Sequence, residues 1–515
     1  MASGLQSDPW LLQLPDERLS AVLRCCADDI RSVFSAARAH SRLHKAAALA
    51  VSSITAMGLE QEQARSILVY LGIHGQHVDS IDLRSNGHTA SLRQLPHNKL
   101  QKLSSLNVSR CRLQLQPGYG FQGVLWAGAP LKQLRLESCM LSDNIEQVAA
   151  ALSLLPELQH LCFDGNQLSN KSRLCFPSSV LQKLQQPTYL ELAGNQLEGP
   201  DGLQHVHDLT CLQDRRLQLV SGSNIQACWL SGLQKLTQLK FLGSYDFEPS
   251  CLAGKTLLQH LYLSVSSART EQLLSHLQHM HQLTHVVLSL QGSVIAPGAA
   301  YSALTASSKL QHLMIYHCQL LAGAWQHMFP AARQLPQLTV LDLSNVCKPD
   351  SASPALAPAA SSLVSCCPGL QVLRIEHLLC SAEQLPPLTG LSSLSELVLR
   401  PAGDSSTALD VVCQLTGLRR LVVTDPASED SELFLQLTQL QRLTYLQVST
   451  REEGPHWKTT NFYSGVSLAG GACAALSIPS LYITSHRSEL KGTSVASSNQ
   501  KVGPFVRPSW ASVQA

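Results

Sequence analysis

The sequence predicts an α/β solenoid: short parallel strands stacked into one concave sheet, with helical or irregular segments closing each coil on the convex side. Three observations predict it. In Leu131 to Leu141, LKQLRLESCML, the apolar positions are Leu131, Leu134, Leu136 and Leu141, with Cys139 between the last two. The middle of that stretch, Leu134-Arg135-Leu136-Glu137, alternates apolar and polar residues, as a half-buried strand requires. Leading positions of the same frame return at Val78, Leu103, Leu131, Leu158, Pro187, Leu212, Leu239, Leu258, Leu283, Leu310, Leu338, Leu370, Leu394, Leu418 and Leu443, spaced 19 to 32 residues apart. A period of that size means one strand and one convex segment per coil, each hiding its apolar side against the next.

A turn residue follows each strand. Asn or Cys fills it in six copies: Asn86, Cys111, Cys139, Asn166, Asn195 and Cys318. At Cys139 a small side chain can turn inward, bond to backbone and end the strand. This spelling resembles the leucine-rich repeat, L-x-x-L-x-L-x-x-N/C-x-L. The resemblance covers 78–450, about 15 repeats. Two core positions in this frame are polar, Arg215 and Ser244, and the copies from Leu370 onward lose the Asn/Cys turn. Those repeats are expected to be less regular.

Residues 1–50 follow a different pattern and read as a module of three short helices. Pro15 can open a helix, with Asp16 and Glu17 at its positive end and Leu19, Val22 and Leu23 on one stripe. Asp28-Asp29 can cap a second helix carrying Ile30, Val33, Phe34 and Ala37, and Arg38, Arg42 and Lys45 mark a basic third. Leu14-Pro15-Asp16-Glu17, the following apolar pairs and the Arg-rich end resemble an F-box. That family usually has an aromatic residue where this chain offers Leu43, and often Cys at His40. The resemblance implies docking on the adaptor subunit of a cullin-based, SCF-type ubiquitin ligase through Leu14, Pro15, Leu19, Val22 and Leu23. The alternative is that these residues pack the module onto the array as its N-terminal cap.

Residues 51–77 read as a connecting helix, with Ala64, Ile67, Leu68 and Leu71 on one face. Within the array, Ser142 or Asp143 can cap a convex helix through Ile145, Val148, Ala149 and Leu152. Thr270 can cap another through Leu273, Leu274, Leu277 and Met280. Pro156, Pro336 and Pro368 end convex segments, and 349–360, PDSASPALAPAA, is an insertion that explains the longest spacing. In 451–515 the composition turns to Ser, Gly and Thr. There Ile478, Leu481 and Ile483 repeat the frame as a closing strand over the last open edge, and the chain from Ser485 is expected to be disordered.

The polar residues of each strand face outward from the concave sheet, where a partner is read. They include Arg135, Glu137, Asp164, Glu191, Tyr262, Met314, Tyr316, Asp342, Arg374, Glu376 and Arg400. Tyr262, Met314 and Tyr316 are expected to form an apolar-aromatic patch flanked by charges, suited to a binding hot spot. The alternative is that they merely cover neighbouring side chains. Histidines recur at strand starts, as in His160, His260 and His312, so a ladder on neighbouring rungs is one reading and separate solvated imidazoles the other.

Composition narrows the function. A net charge of +2, with 14% charged residues and no basic run, points away from nucleic acid. No apolar stretch approaches the roughly 20 residues of a membrane span, and MASGLQSDPW lacks the features of a secretory signal. Sixteen cysteines without zinc spacing fit free thiols in a reducing compartment. Chance explains the glycosylation-type triplets at Asn107 and Asn170. Gly254-Lys255-Thr256 begins like a phosphate loop, but Pro249 stands where the motif needs Gly; Gly465-Val466-Ser467 lacks the second Gly of a nucleophile elbow. The expectation is a non-enzymatic adaptor, without cofactor or metal, that brings an unknown substrate protein to the ligase in the cytoplasm or nucleus. The alternative is a scaffold of the cytoskeleton or the cilium axoneme.

Overall fold

The computed structural model describes residues 12, 14–25, 36, 39–86, 91–92, 95–96, 98–113, 130–139, 141, 150–166, 188–191, 216–220, 230, 232–242, 247–295, 298–320, 323–330, 332–344, 346–347, 357–381, 385–402, 405–424, 437–450 and 480–485. The elements in chain order are α1 (Asp16–Cys25), α2 (Ser41–Ala50), β1 (Ser53–Met57), α3 (Gln61–His74), β2 (Ser80–Arg84), β3 (Ser91–Leu92), β4 (Ser105–Ser109), β5 (Arg112–Leu113), β6 (Gln133–Glu137), β7 (His160–Cys162), β8 (Tyr189–Glu191), β9 (Arg216–Val220) and β10 (Gln238–Leu242). They continue with β11 (His260–Ser266), α4 (Thr270–Leu277), β12 (His285–Ile295), β13 (His312–Leu320), α5 (Ala324–Met328), β14 (Val340–Asp342), β15 (Val346–Cys347), α6 (Ala357–Cys366), β16 (Val372–Ser381), β17 (Glu396–Ala402), α7 (Ser405–Cys413), β18 (Arg420–Thr424), β19 (Tyr445–Thr450) and β20 (Ser480–Ser485).

Among the described residues eighteen strands form one sheet, and its pairs are parallel from β1–β2 at one end to β19–β20 at the other. Strand follows strand in chain order, with β15 set beside β13 and a small separate β3–β5 pair. Stacked coils dictate this order. The chain is a leucine-rich-repeat solenoid. Equivalent aliphatic residues lie directly across from one another: Leu106, Leu134 and Leu161 in one run, then Leu261, Val286, Leu313, Leu341, Leu373, Leu397, Leu421 and Leu446. All of them are buried. Each such aliphatic contributes on the order of 1.5–3 kcal/mol by leaving water, so the core is a continuous spine rather than a central globule.

The turn works as the spacing predicts. Arg110, Ser138, Gly165 and His317 are left-handed, with φ of 54°, 53°, 68° and 54°, and each directly precedes Cys111, Cys139, Asn166 or Cys318. That twist points the next side chain inward. The Cys139 thiol donates to the Val108 carbonyl at 3.0 Å, and Asn166 Nδ2 donates to the Leu136 carbonyl at 2.7 Å. Asn86 departs from the expectation. No left-handed residue precedes it, so it faces outward, and Ser85 turns in instead, its Oγ donating to the Leu59 carbonyl at 3.0 Å. Asn195 lies outside the described residues.

Three further expectations are corrected. The segment 51–77 is not one helix: β1 pairs in register with β2, Ile54 opposite Ile81, and only Gln61–His74 is α-helical. Val51, Ile54 and Leu59 are buried in the pattern of a first repeat, so the array begins about one coil before Val78. The Ala-rich run at 46–50 masked that frame. Second, Leu239 is not a leading residue. It lies opposite Leu217 and Leu261, which puts Leu236 in the lead and Leu239 and Phe241 in the core. Leucines at both 236 and 239 allow either frame; β9 pairs Leu217 with Leu239, and Arg215 and Ser244 lie outside the described residues. Third, Thr270 does not cap its helix. Its Oγ1 donates to the Ser266 carbonyl at 3.3 Å and lies 2.7 Å from Ser293 Oγ, while Leu273, Leu274 and Leu277 are buried as expected.

At the N-terminus α1 packs on α2, and Leu19, Leu23, Leu43, Ala46 and Ala47 belong to the same core as the strands. Arg42 clamps the entry, its Nη2 donating to the Leu14 carbonyl at 2.8 Å and to Asp16 Oδ1 at 2.7 Å, with Nη1 bonded to the Leu12 carbonyl. The Tyr70 hydroxyl donates to the Ala47 carbonyl at 3.4 Å and ties α3 to α2. The expected second helix, at 28–37, falls outside the described residues apart from 36. At the other end β20 lies in register on β19, with Leu481 opposite Leu446 and Ile483 opposite Val448, as the closing strand requires. Within the insertion, residues from Ala357 form α6; residues 349–356 and the chain beyond Ser485 lie outside the described residues. Among the described residues no helix is long and apolar enough to cross a membrane. Nine of the described cysteines are free thiols, all of them buried except Cys25.

Candidate functional site: the concave face

Alternation fixes which side chains reach the concave surface, because successive residues of a strand point to opposite faces. Parallel register then lines them up in columns. The first column carries Gln133, His160, Tyr189, His260, His285, His312, Val340, Val372, Glu396, Arg420 and Tyr445. The second carries Arg135, Cys162 and Glu191 toward one end, Tyr262, Val287 and Met314 in the middle, then Asp342, Arg374, Val398, Val422 and Gln447.

The two ends of this surface are ionic. At one, Arg135 Nη2 lies 3.5 Å from Glu191 Oε2, which also accepts from the Tyr189 hydroxyl at 2.7 Å. The His160 ring stacks on Tyr189 with centroids 5.7 Å apart. Burial, then Glu191 and Glu137, pushes the Asp164 carboxyl up to about 6. The Cys162 thiol in this cluster is pushed up to about 12, chiefly by burial. At the other end Arg374 bridges two carboxylates, Glu396 at 2.9 Å and Asp342 at 3.2 Å, and the Arg420 guanidinium lies 4.0 Å above the Tyr445 ring. The Tyr316 hydroxyl reaches Asp342 at 3.4 Å and Met314 Sδ at 3.3 Å.

Between them, after Lys240 on β10, an uncharged stretch crosses β11, β12 and β13. Tyr262, Val287 and Met314 are neighbours across β11, β12 and β13. Beside them the rings of His260, His285 and His312 stack face to face, with centroids 4.4 and 4.3 Å apart and planes 4° and 14° from parallel. Burial, then His312 and His260, pushes the His285 pKa down to about 4, and burial lowers that of His312.

The expected surface residues thus divide. Met314 and Tyr316 meet, with Tyr262 two strands away across Val287; Asp342 pairs with Arg374 and Arg135 with Glu191. Glu137 and Asp164 flank the first ionic cluster, Arg400 stands on β17, and Glu376 is on β16 with its side chain outside the description. Sequence reasoning passed over Val287, His285, Glu396, Arg420, Tyr189 and Tyr445. Five of these are first residues of strands, and the repeat frame itself marks that column. In the N-terminal module Leu19 and Leu23 are buried, Leu14 is half-buried, and Pro15 and Val22 are exposed. Asn107 lies within β4, where its Oδ1 accepts from Ser109 Oγ at 2.8 Å, so it is part of the concave sheet rather than a loop acceptor. Lys255 of the loop-like triplet is buried. Among the described residues no group of three or more His, Cys, Asp or Glu is placed to hold a metal ion.

No protein-family model matches the chain, and no curated protein matches it. Among solved structures, an internalin from Listeria monocytogenes is similar at 16% identity, covering 75% of this chain and 93% of the internalin, with a TM-score of 0.42. The plant peptide hormone receptor RGFR1, in complex with RGF2, is similar at 16% identity over 73% of this chain and 68% of the receptor, with a TM-score of 0.36. The fold assignment rests on the strand register and not on these likenesses.

Proposed function

We propose that the chain is a protein-binding adaptor that acts by binding alone, reading its partner on the concave face. The observation that carries this is the uncharged strip across β11–β13, with Lys240 of β10 on one side and the ion-paired Asp342–Arg374–Glu396 rungs on the other. Such an apolar-aromatic centre with a polar rim is the anatomy of a protein interface. The finer reading is that the N-terminal module docks on the adaptor subunit of an SCF-type ubiquitin ligase with its cullin, while the repeats recruit a substrate protein. Exposed Pro15 and Val22, at 40% exposure for Val22, support docking at that end of α1. Leu19 and Leu23 are already used in the core, which favours the second reading, a scaffold whose N-terminal helices only cap the array. Co-purification of the full chain with the adaptor subunit separates the two. The ligase reading expects adaptor to be retained by the native chain and lost on Pro15→Ala with Val22→Asp; absence of adaptor from the native chain leaves the scaffold.

A further inference from the structure

The imidazole stack has a feature that a general binding surface does not need. His260, His285 and His312 are exact cross-strand partners in the parallel ladder, so the backbone holds their rings at the spacing of the strands. The central ring is oriented on one side. Thr284 Oγ1 donates to the Gln259 carbonyl at 3.1 Å, which commits the hydroxyl proton. The 2.9 Å contact between Thr284 Oγ1 and His285 Nδ1 is then a bond donated by Nδ1–H. The neutral tautomer keeps its lone pair on Nε2, and an incoming proton enters there.

Among the described residues, none around the column offers that proton a free carboxylate. The titratable and charged groups on the packed elements are Lys240 on β10, Tyr262 on β11, Tyr316 and His317 on β13, Asp342 on β14 and Lys309 in the turn before β13. Asp342 is already engaged by Arg374, Tyr316 and Ser344. Lys309 Nζ donates to Gln282 Oε1 at 2.6 Å, and His317 Nδ1 lies 2.9 Å from Ser289 Oγ. A cation on the middle ring would face two half-buried imidazoles little more than 4 Å away. Low-dielectric surroundings and like charge both oppose it.

We propose that His260, His285 and His312 form a proton-controlled strip of the concave face, stacked and uncharged at neutral pH and unstacked once the middle ring takes up a proton at Nε2. Its consequence for binding rests on the concave-face reading: acid would place a positive charge at the centre of the uncharged strip and release a partner that packs there. The strip itself is tested without any partner, so its failure is separate from failure of that reading.

The experiment is a pH titration of the full chain labelled with 13C and 15N in histidine, followed by NMR, with each ring assigned from single His→Asn variants. The expected result is that His285 carries its proton on Nδ1 at neutral pH and titrates near pH 4. Replacing both neighbours, His260→Asn with His312→Asn, should move that midpoint upward, provided circular dichroism shows the fold intact. The native titration stands on its own if the double variant does not fold. A His285 midpoint in the ordinary imidazole range near about 6.5, an Nε2–H tautomer, or a midpoint indifferent to loss of both neighbours in a folded variant would overturn the proposal.

Discussion

The backbone N–H of Cys139 donates to Oδ1 of Asn166 across one coil at 2.7 Å. The same Asn166 amide returns Nδ2 bonds to the carbonyls of Leu136 at 2.7 Å and Phe163 at 3.1 Å, and the residue is only 1% exposed. One side chain therefore satisfies backbone groups of two rungs that no strand partner reaches. Truncation leaves buried donors and acceptors unmet, each costing about 1–3 kcal/mol. Asn166→Ala is expected to destabilise the array by roughly 2–4 kcal/mol, read as a lower urea midpoint. Asn166→Asp is expected to be as damaging, because a carboxylate cannot donate to Leu136. A midpoint within error of the native one in either variant contradicts this role.

Lys255 occupies a column that is otherwise mainly apolar. Leu233, Met280, Leu335, Leu391 and Leu415 hold the same place in other coils, and Lys255 is 1% exposed among them with no hydrogen-bond partner for Nζ. Burial lowers its pKa below the 10.5 of a free lysine. The unfolded chain therefore binds more protons than the folded one between the two values, and stability rises with pH across that window. Lys255→Met should raise the midpoint at neutral pH by on the order of 1 kcal/mol and flatten the alkaline rise. Urea titrations at pH 7 and pH 10 check both; a native chain that loses stability steadily over that interval, with Lys255→Met behaving alike, would contradict the assignment.

Arg374 lies between Asp342 and Glu396, and the Asp342 side chain is only 5% exposed. Removing the guanidinium strands a buried carboxylate, which costs a few kcal/mol in closed sites. The Arg374 side chain is itself 36% exposed, so solvent screens part of that. Arg374→Ala is expected to lose about 2 kcal/mol, whereas Arg65→Ala, which breaks an exposed pair with Glu62 on α3, is expected to lose less than about 0.5 kcal/mol. Thermal denaturation at low and high salt compares them.

Much of the fold is legible because a repeat states its rule many times. Leu131 to Leu141 carries the strand, the inward turn and the spacing, and the structure places Leu134, Leu136, Cys139 and Leu141 in the core as that stretch predicts. Legibility fails where local spelling allows two frames. Leucines at 236 and 239 sit three apart and fit either register; only pairing with Leu217 and Leu261 decides. Residues 53–57 were hidden by the Ala-rich helix before them, although Val51, Ile54 and Leu59 keep the repeat spacing. On the concave face, alternation identifies outward residues, but contacts between rungs depend on register. The Tyr262–Val287–Met314 row and the stack through His285 could be drawn only once β11, β12 and β13 were aligned.

The central claim is that the concave strip, and not the convex helices, holds the partner. Its most direct test is quantitative cross-linking of the full chain to associated proteins in three folded forms: native, Val287→Glu with Met314→Glu on the concave face, and Val69→Glu on the exposed face of α3. The account predicts that the proteins recovered with the native chain are retained by Val69→Glu and lost by the concave pair. Retention of the same proteins by the concave pair, or their loss only in Val69→Glu, would contradict it.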